Sequence, residues 1–159
     1  MNHIESLYII GFKKFSEIQI DFNEQMNILV GENESGKSTV FNAIKIVLNQ
    51  QYRNADKSVL KELLNLQMVE QFLANPELSN LPYIRIEIVL NLNPKTKNAE
   101  FFYGENNSSK NELFGITFEC KFNEELGSGL VKEIEAGKIP YEYYDSSDYT
   151  FTSRFFMQQ

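Results

Sequence analysis

Residues 26–48 read MNILVGENESGKSTVFNAIKIVL, and this stretch constrains the fold more than any other. An apolar run meets a loop with two glycines, then Lys-Ser-Thr, then a second apolar run. Gly31-Glu32-Asn33-Glu34-Ser35-Gly36-Lys37-Ser38 matches G-x-x-x-x-G-K-[ST]. A strand–loop–helix unit explains each of these residue types. Gly31 lets the chain leave the strand sharply, and Gly36 lets backbone approach a ligand with no Cβ between them. The intervening N–H groups, among them those of Asn33 and Ser35, form an anion nest, and a helix starting near Gly36 adds its positive end. Lys37 is then placed for the β- and γ-phosphates of ATP, the Ser38 hydroxyl for Mg²⁺ and Thr39 for the α-phosphate. Glu32 and Glu34 must point away from such a polyanion.

The surrounding pattern gives the rest of the architecture. IESLYIIGF (4–12) and FSEIQIDF (15–22) predict a hairpin across GFKK. In the second, Ile18 and Ile20 take one face and Glu17, Gln19 and Asp21 the other. MNILV (26–30) reads as a short strand buried on both faces. Thr39–Leu48 carries so wide an apolar stripe that a largely buried helix is expected. A second helical segment is expected over 57–75, capped by Asp56 or Ser58 and stopped by Pro76 and Pro82. From residue 83 the period changes to two: Ile84, Ile86 and Ile88 oppose Tyr83, Arg85 and Glu87. A β meander is expected over 83–137. It includes FGITFECKF (114–122), a turn at NEELGSG (123–129) and, from its place in the series, a strand at LVKEIEAGK (130–138). Residues 139–159 are aromatic and unassigned. The whole is α/β with a β-rich antiparallel lobe, read as one domain: a core over 1–50, helices over 57–75 and the meander.

Composition excludes several alternatives. The 159 residues carry 42% hydrophobic and 23% charged side chains, which argues against wholesale disorder. A net charge of −7 has the wrong sign for a surface that grips nucleic acid all over. Lys13 and Lys14 are adjacent, while Lys95, Lys97 and Lys110 lie in a polar stretch and read as solvated. One cysteine, Cys120, excludes a disulfide within the chain and reads as a structural thiol in a strand. The sole histidine, His3, gives it no catalytic partner. No apolar run approaches the ~20 residues of a membrane helix, and no signal peptide is visible, so a cytoplasmic location and no membrane partner are expected.

The remaining machinery of hydrolysis is missing from the pattern. An acid for Mg²⁺ would follow about four apolar residues, and no such run is found. Asp145 follows YEYY, and Asp21 comes too early. LGSGL (126–130) reads as a turn rather than as an ATPase signature.

The first fifty residues, IESLYIIGFKKFSEIQIDFNEQMNILVGENESGKSTVFNAIKIVL, resemble the N-terminal half of ABC-type ATPase heads of the SMC/RecF group. Among these they look most like the OLD (overcoming lysogenisation defect) family of ATP-dependent nucleases. The resemblance covers about a third of the chain. It rests on the opening strand, the aromatic-basic turn Phe12-Lys13-Lys14-Phe15, the amphipathic second strand and G-x-N-x-S-G-K-[ST]. It implies a P-loop NTPase fold, here the N-terminal portion of an incomplete domain, with ATP and Mg as cofactors. It implies a homodimer of heads closing on ATP, with DNA engaged by regions absent from this chain. A basic residue of the turn approaches the nucleotide in that group. Lys13 matches it, as Lys where Arg is usual, and a solvated lysine is the alternative. A Q-loop glutamine is also expected there, and Gln158 or Gln159 after RFFM is the candidate. The signature helix, the Walker B acid and the TOPRIM nuclease acids of such proteins find no match. The chain thus reads as the ATP-binding portion of an OLD-like ATP-dependent DNA endonuclease. The alternative is a RecF/SMC-type ATPase acting in DNA repair or as a clamp. A small-molecule kinase would need an arginine-rich lid, and the arginines here are only Arg53, Arg85 and Arg154. A β-rich interaction module with a degenerate loop is the fourth reading.

Overall fold

A computed structural model describes residues 2–49, 59–138 and 146–157. Six antiparallel strands form one sheet: β1 (His3–Phe12), β2 (Phe15–Asp21), β3 (Ile84–Asn91), β4 (Tyr103–Gly104), β5 (Leu113–Phe122) and β6 (Tyr149–Phe155). The order is β2-β1-β3-β5, with β4 and β6 both pairing with β5. The helices are α1 (Lys37–Asn49), α2 (Leu60–Leu63), α3 (Leu66–Ala74) and α4 (Ser128–Glu135). Asp56 and Ser58, expected as a helix cap, lie outside the described residues. Among those described, no helix is long and apolar enough to cross a membrane.

Alternation in the strands gives the sheet two unlike faces. Leu7 and Ile9 of β1, Ile84, Ile86 and Ile88 of β3, and Ile116, Phe118 and Cys120 of β5 are buried on one side. They pack with Val40, Ala43, Ile46 and Val47 of α1 in one core. In register, Ile9 stands opposite both Ile18 and Ile86, so the apolar rows align across three strands. The expected hairpin and the period-two strand at 84–91 are thus both present.

The other face is a ladder of charges. Arg85 stands opposite Glu119 in the β3–β5 register. Glu119 takes ion pairs from Arg85 (3.3 Å), Lys121 (2.8 Å) and Arg154 (2.8 Å). Glu87 accepts from Arg85 Nε (2.6 Å), from Ser108 N (3.0 Å) and from Ser108 Oγ (2.9 Å). Both carboxylates are buried and fully partnered, which is the condition for keeping charge out of water.

Three expectations are corrected. Residues 26–30 form no strand: Met26, Ile28 and Val30 are 71%, 73% and 89% exposed, and only Leu29 reaches the core. A strand buried on both faces needs neighbours on both edges, and no described strand pairs with this one. Helix α1 buries one face only, against the sheet, and leaves Phe41 and Leu48 exposed. Finally, LVKEIEAGK is helical rather than extended, in α4. Leu130 and Ile134 lie one helical turn apart and pack with Phe72, Leu81 and Phe122, while Lys132, Glu133, Glu135 and Ala136 are residue types that favour a helix and are depleted in strands.

The loop between β1 and β2 is clamped from below by the α2–α3 junction. Lys13 N donates to Leu63 O (2.7 Å), and Asn65 N donates to Gly11 O (2.9 Å). Asn65 Nδ2 donates to Lys13 O (2.8 Å), while its Oδ1 caps α3 by accepting from Met68 N (3.2 Å). Gly11 has φ +67°, and a Cβ there would collide with the Tyr83 carbonyl oxygen. Only glycine meets both conditions.

Burial alone would push the Glu119 carboxyl up, but Lys121, Arg85 and Arg154 outweigh it and hold it below its ordinary value of 4.5. Its contribution to stability is therefore present above that value and fades as pH falls through the lower folded value. Glu119→Gln is expected to lose about 1–3 kcal/mol in urea unfolding at neutral pH. The gap to the wild type is expected to narrow as pH falls below 4.5. A gap that stays constant or widens on acidification would contradict the charge ladder.

Candidate nucleotide site

The loop Gly31–Ser38 lies at the N-terminal end of α1, as its sequence requires. Val40 N donates to Gly36 O (3.0 Å), the first bond of the helix, and Ser35 N donates to Glu32 O (3.2 Å) within the loop. The first turn of α1 holds no acidic side chain, so the positive end of the helix is not offset from within. Residues Asn33–Thr39 and Lys14 line a cleft of about 420 Å³. Ser38 is exposed at its mouth and Thr39 is buried beneath it.

Both glycines are crowded, Gly36 by an aromatic ring and Gly31 by a hydroxyl that can turn aside. A Cβ on Gly31 would stand 2.5 Å from Ser35 Oγ. Gly36 has φ +100°, and a Cβ there would stand 2.6 Å from the Phe15 ring. Phe15 opens β2 immediately after the clamped turn, so the sheet reaches the loop through an aromatic ring.

Lys37 curls back over the loop. Its ammonium donates to Gly31 O (2.5 Å), Glu32 O (2.7 Å) and Ser35 Oγ (3.2 Å), which accounts for all three of its protons. Lys14 donates to the Glu34 carbonyl oxygen and lies 3.9 Å from the Glu34 carboxylate. The Glu34 side chain is otherwise turned to solvent, with its backbone at φ +68°. Two ammonium groups thus hold oxygens of the loop itself.

The residues picked out by sequence fall into three groups. Gly31, Asn33, Ser35, Gly36, Lys37, Ser38 and Thr39 are together in the loop and the first turn of α1. Lys13 sits in the adjoining turn at φ +50°, its ammonium 5.7 Å from the Phe12 ring centroid. Lys14 is the turn lysine on the cleft. Gln158, Gln159 and Asp145 lie outside the described residues. Sequence reading missed Lys14 and Phe15 as parts of the site. The signal was FKKF itself, an aromatic-basic turn whose last residue is the ring that covers Gly36. LGSGL, expected to be a turn, is one only at Leu126 and Gly127: α4 starts within it at Ser128, and Leu130 is buried in the second apolar cluster. Among the described residues no three His, Cys, Asp or Glu side chains converge to hold a metal ion.

A family model described as an AAA domain matches residues 6–159. The DNA replication and repair protein RecF of Clostridium acetobutylicum is 38% identical over 61 residues, covering 37% of this chain and 17% of the relative. RecF of Clostridium tetani is 27% identical over 154 residues, covering 89% of this chain and 40% of the relative. The chromosome segregation protein sudA of Emericella nidulans is 26% identical over 131 residues, covering 76% and 11%. The chain therefore spans less than half the length of each of these relatives.

Gly36→Ala is expected to destabilise the chain by about 1–3 kcal/mol, through the left-handed backbone and the overlap with Phe15 together. Thermal or urea unfolding reads it. Stability equal to the wild type would mean that the ring does not sit on this glycine.

Proposed function

Because the chain belongs to the family described as an AAA domain, we propose that its Gly31–Thr39 loop binds the triphosphate of Mg-ATP in an ATPase that works on DNA. The observation that carries the proposal is the ammonium of Lys37, folded onto loop oxygens at the N-terminal end of α1, whose first turn holds no acid. A lysine with its three donors gathered at that spot needs only to exchange carbonyl oxygens for phosphate oxygens. The residues suit the cofactor. Backbone N–H groups around Asn33, Ser35 and Gly36 would hold phosphate oxygens, the exposed Ser38 hydroxyl would ligate magnesium, and Thr39 would contact the α-phosphate. Magnesium, when bound, offsets phosphate charge and orients the reacting oxygens. Lys13 and either Gln158 or Gln159 remain candidates for further contacts in this scheme.

The exposed row Met26, Ile28 and Val30, with Phe41 and Leu48 of α1, supports a site completed by further chain. In the proposal those additional strands pair with residues 26–30 and supply the acid and the water-orienting groups. Binding of ATP would then draw two heads into a homodimer, in the cytoplasm, with DNA held by other regions.

The names of the relatives favour the RecF/SMC reading, an ATPase of DNA repair or chromosome maintenance. The OLD-like nuclease reading draws on the loop motif and the turn, and it assigns DNA cleavage to residues elsewhere. A TOPRIM acid cluster in the full-length protein would select the nuclease; a long heptad coiled coil would select the SMC type.

Lys37→Ala is expected to weaken Mg-ATP binding by about 1.5–3 kcal/mol, roughly ten- to a hundredfold, in titration calorimetry. Equal affinity in wild type and variant would place the phosphates somewhere other than this loop.

A further inference from the structure

The two lysines on the loop differ in kind. Lys37 belongs to the loop motif. Lys14 comes from the β1–β2 turn, twenty residues away, and yet it reaches the Glu34 carbonyl oxygen and carboxylate. Its base is fixed, because the preceding residue is tied to Leu63 and Asn65 from both sides of its peptide. Its grip falls on a strained point: Glu34 is one of four non-glycine residues with positive φ among the described ones. An exposed pair 3.9 Å apart is weak by itself, because water screens it and both side chains lose freedom. A polyphosphate in the same cleft would present several charges to the ammonium in place of one, through stronger, charge-assisted bonds.

We propose that Lys14 and Glu34 form a latch on the loop: Lys14 holds Glu34 while the cleft is empty and passes to a phosphate oxygen when a nucleoside polyphosphate enters. The Glu34 carboxylate is then an internal competitor that lowers affinity for the ligand. This rests on the reading of Gly31–Thr39 as a nucleotide site. It assigns to Lys14 a role that the family resemblance gives to Lys13, whose ammonium lies against the Phe12 ring.

The test is calorimetric titration of the intact protein with Mg-ATP. Lys14→Met is expected to bind about tenfold more weakly, and Lys14→Arg within about threefold of wild type. Glu34→Gln is expected to bind about threefold more tightly, and Lys14→Met with Glu34→Gln no more tightly than Lys14→Met alone. Unchanged affinity in Lys14→Met overturns the latch. So does a double variant that keeps the whole gain of Glu34→Gln, because the carboxylate would then act on the ligand without Lys14. Should Lys14→Met fail to fold, Glu34→Gln decides by itself, and unchanged or weaker binding overturns the latch. Lys37→Ala separates this from the underlying reading. Binding lost there but untouched by the Lys14 and Glu34 variants removes only the latch; no binding by wild type removes both.

Discussion

Asn65 is the joint on which the arrangement turns. One buried side chain caps α3 and holds the carbonyl of Lys13, while its backbone N–H holds Gly11. The hairpin β1–β2 is thereby fastened to the helices at its tip, where a turn would otherwise be free to move. Everything beyond the tip inherits that position. Phe15 is set against Gly36, and Lys14 is set against Glu34. The loop is therefore located by a chain of short contacts running from α3 through the hairpin, besides its own attachment to α1.

The sheet serves the same end from its two faces. One is apolar and seats α1, which fixes the direction in which the helix end points. The other is a ladder of partnered charges, where Glu119 and Glu87 are buried only because cations and Ser108 surround them. A face of that kind resists packing against another apolar surface, since covering it would strand charges from water. Residues 26–30 and the outer side of α1, by contrast, leave large apolar side chains exposed.

Much of this was legible in the sequence, and the failures have physical causes. The loop was readable because each of its residue types answers a steric or electrostatic need that spacing alone expresses. Period-two alternation at Ile18 and Ile20, and at Ile84, Ile86 and Ile88, marked strands whose inner rows do align. MNILV misled because apolar composition reports a preference for burial, whereas a strand also needs partners for its backbone groups. LVKEIEAGK misled because an interval of four from Leu130 to Ile134 puts both on one face of a strand as well as of a helix, and only the helix-favouring Lys132, Glu133, Glu135 and Ala136 tell the two apart. Lys14 was hidden because which of two adjacent lysines faces the loop depends on the backbone at Lys13, where φ is +50°. No periodicity records that.

In the proposed nucleotide site the ammonium of Lys37 exchanges loop oxygens for phosphate oxygens. A crystal structure of the chain grown with magnesium and a non-hydrolysable ATP analogue tests it most directly. Lys37 Nζ is expected within hydrogen-bonding reach of a phosphate oxygen, released from Gly31 and Glu32, with Ser38 Oγ on the metal ion. Nucleotide bound elsewhere, with Lys37 still seated on those two carbonyls, would contradict it.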